Sequence, residues 1–273
     1  MRAFLWEERD SFLHRLNPLT KLAFSTLVIL LLTAIVDPIT PLVVGVLDFL
    51  ALWRLGQISP RVLLKLLLPF FVLSFGLIWT TTLFYVAAPG THAAVVWRVG
   101  SIVVTDQGLA YGLAIFFRLL AFFSASLIFV MTSNPTDVVQ ALVQRLRVSY
   151  RFGYGAHAAY RFVPLFQTEL DTIRAAHRVR GVDEGKGLLG RYRRYVGYLI
   201  PLLAGGVRKA ERVALAMDAR GFGATTRRTY YRRSRFGIGD LVFAAGSLLT
   251  LGLVLFTLHQ LGWLGQLVPP FIS

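Results

Sequence analysis

Leu66–Ala88 reads LLLPFFVLSFGLIWTTTLFYVAA, 23 residues without a charged side chain. A bilayer core of about 30 Å needs roughly 20 helical residues at 1.5 Å each, so this run predicts a membrane-spanning helix. Leu109–Met131 is another run of 23, interrupted by Arg118 alone, and Leu241–Trp263 follows with His259 as its one titratable group. Two shorter runs come earlier: Leu22–Val36, without a charge, and Ile39–Trp53, which holds Asp48; Asp37-Pro38 breaks the chain between them. Five runs predict about five spans in an all-α polytopic membrane protein.

Composition agrees. The chain is 55% apolar and 16% charged, where soluble domains average about 45–50% and about 25%. Its mean hydropathy of +0.61 supplies ample apolar surface to bury, which excludes intrinsic disorder. It has no cysteine, which excludes a disulfide framework, thiolate zinc sites, iron–sulfur clusters and a cysteine nucleophile. The opening stretch Met1–Lys21 carries Glu7, Glu8 and Asp10 among its bases and no small-residue cleavage pattern, so it does not read as a signal peptide. Phe4, Leu5, Trp6, Phe12 and Leu13 suit an amphipathic segment lying at the membrane interface.

Charge is concentrated in one place. Ser133–Phe236 holds 20 Lys/Arg against 7 Asp/Glu, while the rest of the chain holds 9 against 7. The turn after the first run has no base, the next has Arg54, Arg61 and Lys65, and Pro89–Gly108 has only Arg98. By the positive-inside rule the N-terminus and the basic insert face the cytoplasm and the C-terminus lies outside. The predicted organisation is an interfacial segment over 1–21, four spans over 22–132, a basic cytoplasmic region over 133–236, and the last span with the C-terminus over 237–273.

Within the insert, Ser133-Asn134-Pro135 predicts a helix start, with a polar cap and then proline in the first turn, and the helix should run to about Arg147. Apolar positions at helical spacing predict a second helix over 156–180 and a third over 199–220. The second ends in Arg180-Gly181 and the third in Arg220-Gly221, 40 residues later. A glycine after a helix commonly supplies its left-handed terminal residue, and arginine complements the negative helix end. The recurrence in matched settings suggests more: two guanidinium groups, each on a helix tip, each shaped to pair with a carboxylate in two parallel hydrogen bonds.

Lys209-Ala210-Glu211-Arg212-Val213-Ala214-Leu215-Ala216-Met217-Asp218-Ala219-Arg220-Gly221 resembles the signature of the transmembrane T component of energy-coupling-factor (ECF) transporters. Arg161-Phe162-Val163-Pro164-Leu165 with Ile173–Gly181 is similar to the family's other characteristic stretch, and Leu16-Asn17-Pro18-Leu19-Thr20-Lys21-Leu22 to its lead into the first span. The resemblance covers nearly the whole chain in order. It implies a non-catalytic scaffold of an ABC-type importer of vitamins or transition-metal ions in the prokaryotic plasma membrane. Its partners would be two ABC-type ATPases, a substrate-binding membrane subunit (the S component) and membrane lipids. ATP and Mg would be used by the ATPases, with no cofactor on this chain. The resemblance implies that Val179-Arg180-Gly181 and Ala219-Arg220-Gly221 end coupling helices that dock on the ATPases. Val179 stands where the family usually has alanine, and Asn17 where it usually has aspartate.

Other chemistries leave little trace. Gly181–Gly187 has three residues between its first glycines and no Ser/Thr after Lys186, so it is not a phosphate loop. The five histidines form no ligand cluster at metal spacing, and no G-x-S-x-G elbow occurs. A polytopic transferase would need an acidic metal cluster, and none is visible. Binding of anionic lipid or nucleic acid by the basic insert is an alternative use of its charge, though under the leading reading no nucleic acid is expected as a partner. Inside the spans, Asp48 lies nine residues past Ile39 and Arg118 nine past Leu109, which predicts equal depths and an intramembrane ion pair.

Overall fold

A computed structural model describes residues 10–85, 95–99, 102–181, 187–224, 230 and 234–263. The chain forms two compact units, Met1–Val138 with Arg235–Ser273, and Val139–Ser234. The first holds a short helix α1 (Phe12–Arg15) and the apolar helices α2 (Pro18–Ala34), α3 (Ile39–Arg54), α4 (Pro60–Leu83), α5 (Asp106–Thr132) and α9 (Ile238–Gln260). Helix α6 (Pro135–Arg145) begins in the first unit and continues into the second, which holds α7 (Tyr150–Val179) and α8 (Gly187–Ala219).

Three helices, α4, α5 and α9, are each long and apolar enough to cross a bilayer. Helices α2 and α3, with 17 and 16 residues, reach about 25 Å at 1.5 Å per residue, short of a core of about 30 Å. The fold is an all-α membrane protein with one small addition. Strands β1 (Val95–Val99) and β2 (Ile102–Thr105) form an antiparallel hairpin between α4 and α5, a stretch the sequence pattern left as a loop.

Helix starts follow local chemistry. Asn17 Oδ1 accepts from Leu19 N at 3.0 Å, with Pro18 in the first turn of α2. Asp37 Oδ2 accepts from Thr40 N at 3.0 Å at the head of α3. Thr105 Oγ1 accepts from Gly108 N at 3.1 Å ahead of α5. Helix α5 is the hub, packing against α2, α3 and α4. Small residues allow the close approach. A Cβ on Gly45 would sit 3.4 Å from Ala121 Cα, and one on Gly112 only 2.5 Å from Thr82 Oγ1. Val28, Leu32, Val44, Ala121 and Ala125 form one buried cluster; Leu52, Leu63, Ile128 and Met131 belong to another. The opposite faces stay bare: Leu64, Leu68, Val72 and Phe75 on α4, and Leu241, Leu249 and Phe256 on α9, are exposed. Such a belt suits lipid contact rather than water.

Leu13, expected at an interface, is instead fully buried at 0% exposure and clusters with Leu16 and Phe243. Its carbonyl accepts from Lys21 Nζ at 3.0 Å, and the same ammonium donates to Thr132 O at 2.7 Å. Lys21, also 0% exposed, thus ties α1 to the last carbonyl of α5, a group with no partner inside its own helix. Phe12 is exposed, and the other three residues of that expectation, Phe4, Leu5 and Trp6, lie outside the described residues.

A second buried tie joins α2 to α9. Asp240 Oδ1 accepts from Asn17 N at 2.7 Å and from Thr20 Oγ1 at 3.1 Å. Its Oδ2 accepts from Gly237 N at 2.8 Å. One acidic side chain therefore serves the starts of two helices, satisfying backbone donors at both and complementing both helix dipoles.

In the second unit, α7 begins six residues before the expected start and α8 twelve before. The added segments carry aromatic and apolar residues, Tyr150, Phe152 and Tyr154 in α7 and Leu188, Tyr192 and Tyr195 in α8, and each helix accommodates a proline, Pro164 and Pro201. Gly153 of α7 is buried against α6, where a Cβ would sit 2.2 Å from Val143 Cγ2.

Candidate functional site

Both Arg-Gly sequences cap their helices. Val179 is the last residue of α7 and Arg180 its cap, with Arg180 N donating to Ala176 O at 3.1 Å. Gly181 has φ +62°, and its N donates to Arg178 O at 3.2 Å. At the other helix, Ala219 is last, Arg220 follows and Gly221 has φ +70°. Gly221 N donates to Asp218 O at 2.9 Å and Phe222 N to Met217 O at 3.0 Å, the paired bonds of a Schellman end. The left-handed glycine turns the chain away, so each arginine stands on a tip with its side chain exposed. Val179 is 89% exposed, so its larger side chain meets no crowding within this chain.

Helices α7 and α8 lie antiparallel. His177 meets Tyr198 with ring centroids 5.2 Å apart, Gly206 lies beside the Phe166 ring, and Tyr154 meets Phe222 at 5.0 Å. Arg180 and Arg220 therefore sit at opposite ends of one hairpin, separated by roughly 35–40 Å of helix. Spacing alone gave two tips; the antiparallel packing of α7 on α8 places them at opposite ends. Midway, Lys209 and Glu169 form a part-buried ion pair. Gly205 lies beside it, where a Cβ would sit 3.4 Å from Glu169 Oε1. Near the Arg180 end, Tyr198 is buried, with the Arg174 guanidinium 5.9 Å from its ring centroid.

The Arg220 end has a feature that the sequence did not announce. Phe222 folds back onto the start of α7, 5.7 Å from the Tyr150 ring and 5.0 Å from the Tyr154 ring. Beside it lies a groove of about 730 Å³ lined by residues of α7 and α8, Arg161 and Arg220 among them. A hydrophobic residue after an Arg-Gly end is the available signal, since a Schellman end commonly packs its second outer residue back on the helix.

The expected Asp48–Arg118 ion pair is not formed. Arg118 Nη2 donates to the carbonyl of Ile35, the cap residue of α2, whereas Asp48 lies against Ser124. The reason is register. Gly45 packs on Ala121, so α3 and α5 run parallel with Asp48 level with Ser124. Arg118 is six residues earlier on α5, about 9 Å away along the axis. Counting from the first apolar residue of each run placed them level, but those starts are not level: in the observed register Ile39 lies beside Ile115, six residues past Leu109. Arg118 instead complements the negative end of α2.

Among the described residues, no group of three or more His, Asp or Glu side chains could hold a metal ion. Of the Gly181–Gly187 stretch rejected as a phosphate loop, residues 182–186 lie outside the described residues.

Comparison with known proteins follows the same outline. The family model described as "Cobalt transport protein", CbiQ, matches residues 9–231. A Streptococcus thermophilus "Energy-coupling factor transporter transmembrane protein EcfT" is 31% identical over 267 residues, covering 92% of this chain and 96% of the relative. Proteins of the same description from Staphylococcus aureus (30% identical, covering 93% and 95%) and Lacticaseibacillus paracasei (32% identical, covering 90% and 94%) are similar along almost their full lengths.

Proposed function

The chain belongs to the CbiQ family, the transmembrane T components of energy-coupling-factor transporters, and from that premise we propose that it works as a mechanical coupler between two ATPases and a substrate-binding membrane subunit. The observation that carries the proposal is the placement of Arg180 and Arg220 at opposite ends of one hairpin. Each tip offers an exposed guanidinium to a different ATPase, where a carboxylate would receive it in a bidentate pair. Docking on two separate bodies makes the hairpin sensitive to their approach. When ATP draws the ATPases together, the two ends are displaced, and the Glu169–Lys209 pair keeps the helices moving as one piece. Such coupling requires that nucleotide favour one pose of the hairpin over another.

The bare apolar faces of α4 and α9 supply the membrane surface, where lipid and the substrate-binding subunit would compete for contact. Orientation follows the charge asymmetry, with the N-terminus and the basic insert in the cytoplasm of a prokaryotic cell and the C-terminus outside. ATP and Mg belong to the ATPases, and this chain is not itself an enzyme. Selection of the cargo, a vitamin or a transition-metal ion, belongs to the substrate-binding subunit.

The test is co-purification of the ATPases with the full chain in detergent. Arg220→Glu and Arg180→Glu, each opposing a partner carboxylate, should release ATPase and abolish uptake. Full retention of both ATPases and of uptake in the doubly reversed chain would overturn the proposal.

A further inference from the structure

The groove beside Arg220 is built for a ligand of one sign. Its rim carries His157 and Arg161 from α7 and Arg220 from the tip of α8, and among the described residues no acidic one lines it. Arg161 and Arg220 are exposed, and neither side chain has a hydrogen bond or an ion pair among the described residues. Elsewhere in this unit the picture differs: Arg174 pairs with Asp171 at 3.1 Å and Lys209 with Glu169. Cations facing one groove repel each other unless an anion joins them, so the site gains most from a carboxylate that accepts from both guanidinium groups. The floor is apolar, with Phe162, Met217 and Phe222 prominent. A space of about 730 Å³ takes several side chains, so it suits a turn of polypeptide in which an acidic residue is flanked by apolar ones.

We infer that this groove receives an acidic side chain from the ATPase docked at the α8 tip, with Arg161 acting beside Arg220 as a second recognition residue. The inference rests on the proposed coupling function and extends it. The tip does not merely insert into its partner; it also accepts a partner segment, and the arginine that helps to hold it comes from the other helix of the hairpin. Because α7 and α8 both contribute, one bound carboxylate would fasten the two helices together at the end farthest from Arg180. The Phe222 side chain, held by Tyr150 and Tyr154, fixes the floor on which that segment rests.

The experiment measures the affinity of the purified full chain for its co-expressed ATPase pair, using Arg161→Gln, Arg220→Gln and the double variant. Each chain is first shown to be monodisperse with an unchanged melting midpoint, which exposed positions should permit. Each single variant is expected to weaken binding by about tenfold or more. The double variant should lose less than the product of the two, because both side chains address one carboxylate. Arg161→Gln binding within twofold of the parent while Arg220→Gln is weakened would overturn the groove inference and leave the tip proposal standing. Unchanged binding in both singles would overturn the tip proposal itself. Flotation with phosphatidylglycerol vesicles covers the other anionic ligand: loss of vesicle binding by Arg161→Gln, with ATPase affinity intact, would assign the groove to lipid and overturn the inference.

Discussion

Glu169 of α7 and Lys209 of α8 form a part-buried ion pair near the middle of the hairpin, between the two arginine tips. The side chains retain 35% and 23% of their exposure, so solvent screens the pair only in part. Its position matters more than its strength. It lies where the helices would otherwise be free to slide, beside Gly205 of α8.

Reversing one charge there should loosen the hairpin. Glu169→Lys is expected to destabilise the chain by about 1 kcal/mol and to reduce uptake more than ATPase binding, since the tips remain intact. Glu169→Lys combined with Lys209→Glu should recover most of the uptake. Recovery in the double variant, measured in cells against both singles, checks the pair directly.

Lys21 should be intolerant of substitution although it lies inside the fold, away from any docking surface. Its ammonium satisfies the carbonyls of Leu13 and Thr132 in a fully buried setting. Lys21→Met keeps the bulk and leaves both carbonyls unsatisfied, which should cost about 2–4 kcal/mol. The melting midpoint in detergent should fall by several degrees, and Asp240→Ala should lower it more than Asp240→Asn, which keeps one acceptor oxygen for the α2 and α9 starts.

Asp48→Asn and Arg118→Gln should have additive effects on stability. Asp48 of α3 and Arg118 of α5 are offset by about 9 Å along the helix axes and address different groups, Ser124 and the Ile35 carbonyl. A double-variant cycle by thermal unfolding should give a coupling energy below about 0.5 kcal/mol.

Gly112 marks the tightest α4–α5 approach. Gly112→Val would drive its Cβ to within 2.5 Å of Thr82 Oγ1, so about 1–3 kcal/mol of destabilisation is expected. Gly76, where an added Cβ would meet nothing within 4 Å, should accept alanine with little change in melting midpoint.

Apolar length made the membrane body legible, because a run such as Leu66–Ala88 has few alternatives. Helix ends were less so. The α4 helix starts at Pro60 and carries Arg61 and Lys65 in its first turns, since a helix can leave the apolar layer without ending. The start of α8 was hidden for a related reason: Arg191, Arg193 and Arg194 are interleaved with Leu188, Tyr192 and Tyr195 and mask their helical spacing. The Arg-Gly ends were readable because a left-handed residue favours glycine, and both glycines have positive φ. Long-range geometry was not readable. The register that separates Asp48 from Arg118 depends on Gly45 meeting Ala121, and the groove joining Arg161 to Arg220 depends on the hairpin bringing residues 59 positions apart together.

The central claim is that the two tips engage two ATPase molecules at once. Photo-crosslinking residues placed at Val179 and Ala219, each adjoining its tip arginine, test it most directly in the assembled transporter. A chain carrying both crosslinkers should yield a covalent product with the mass of this chain plus two ATPases, and each single substitution a product with one. Recovery of no product heavier than one ATPase per chain from the doubly substituted protein, with each single crosslink still forming, would contradict the account.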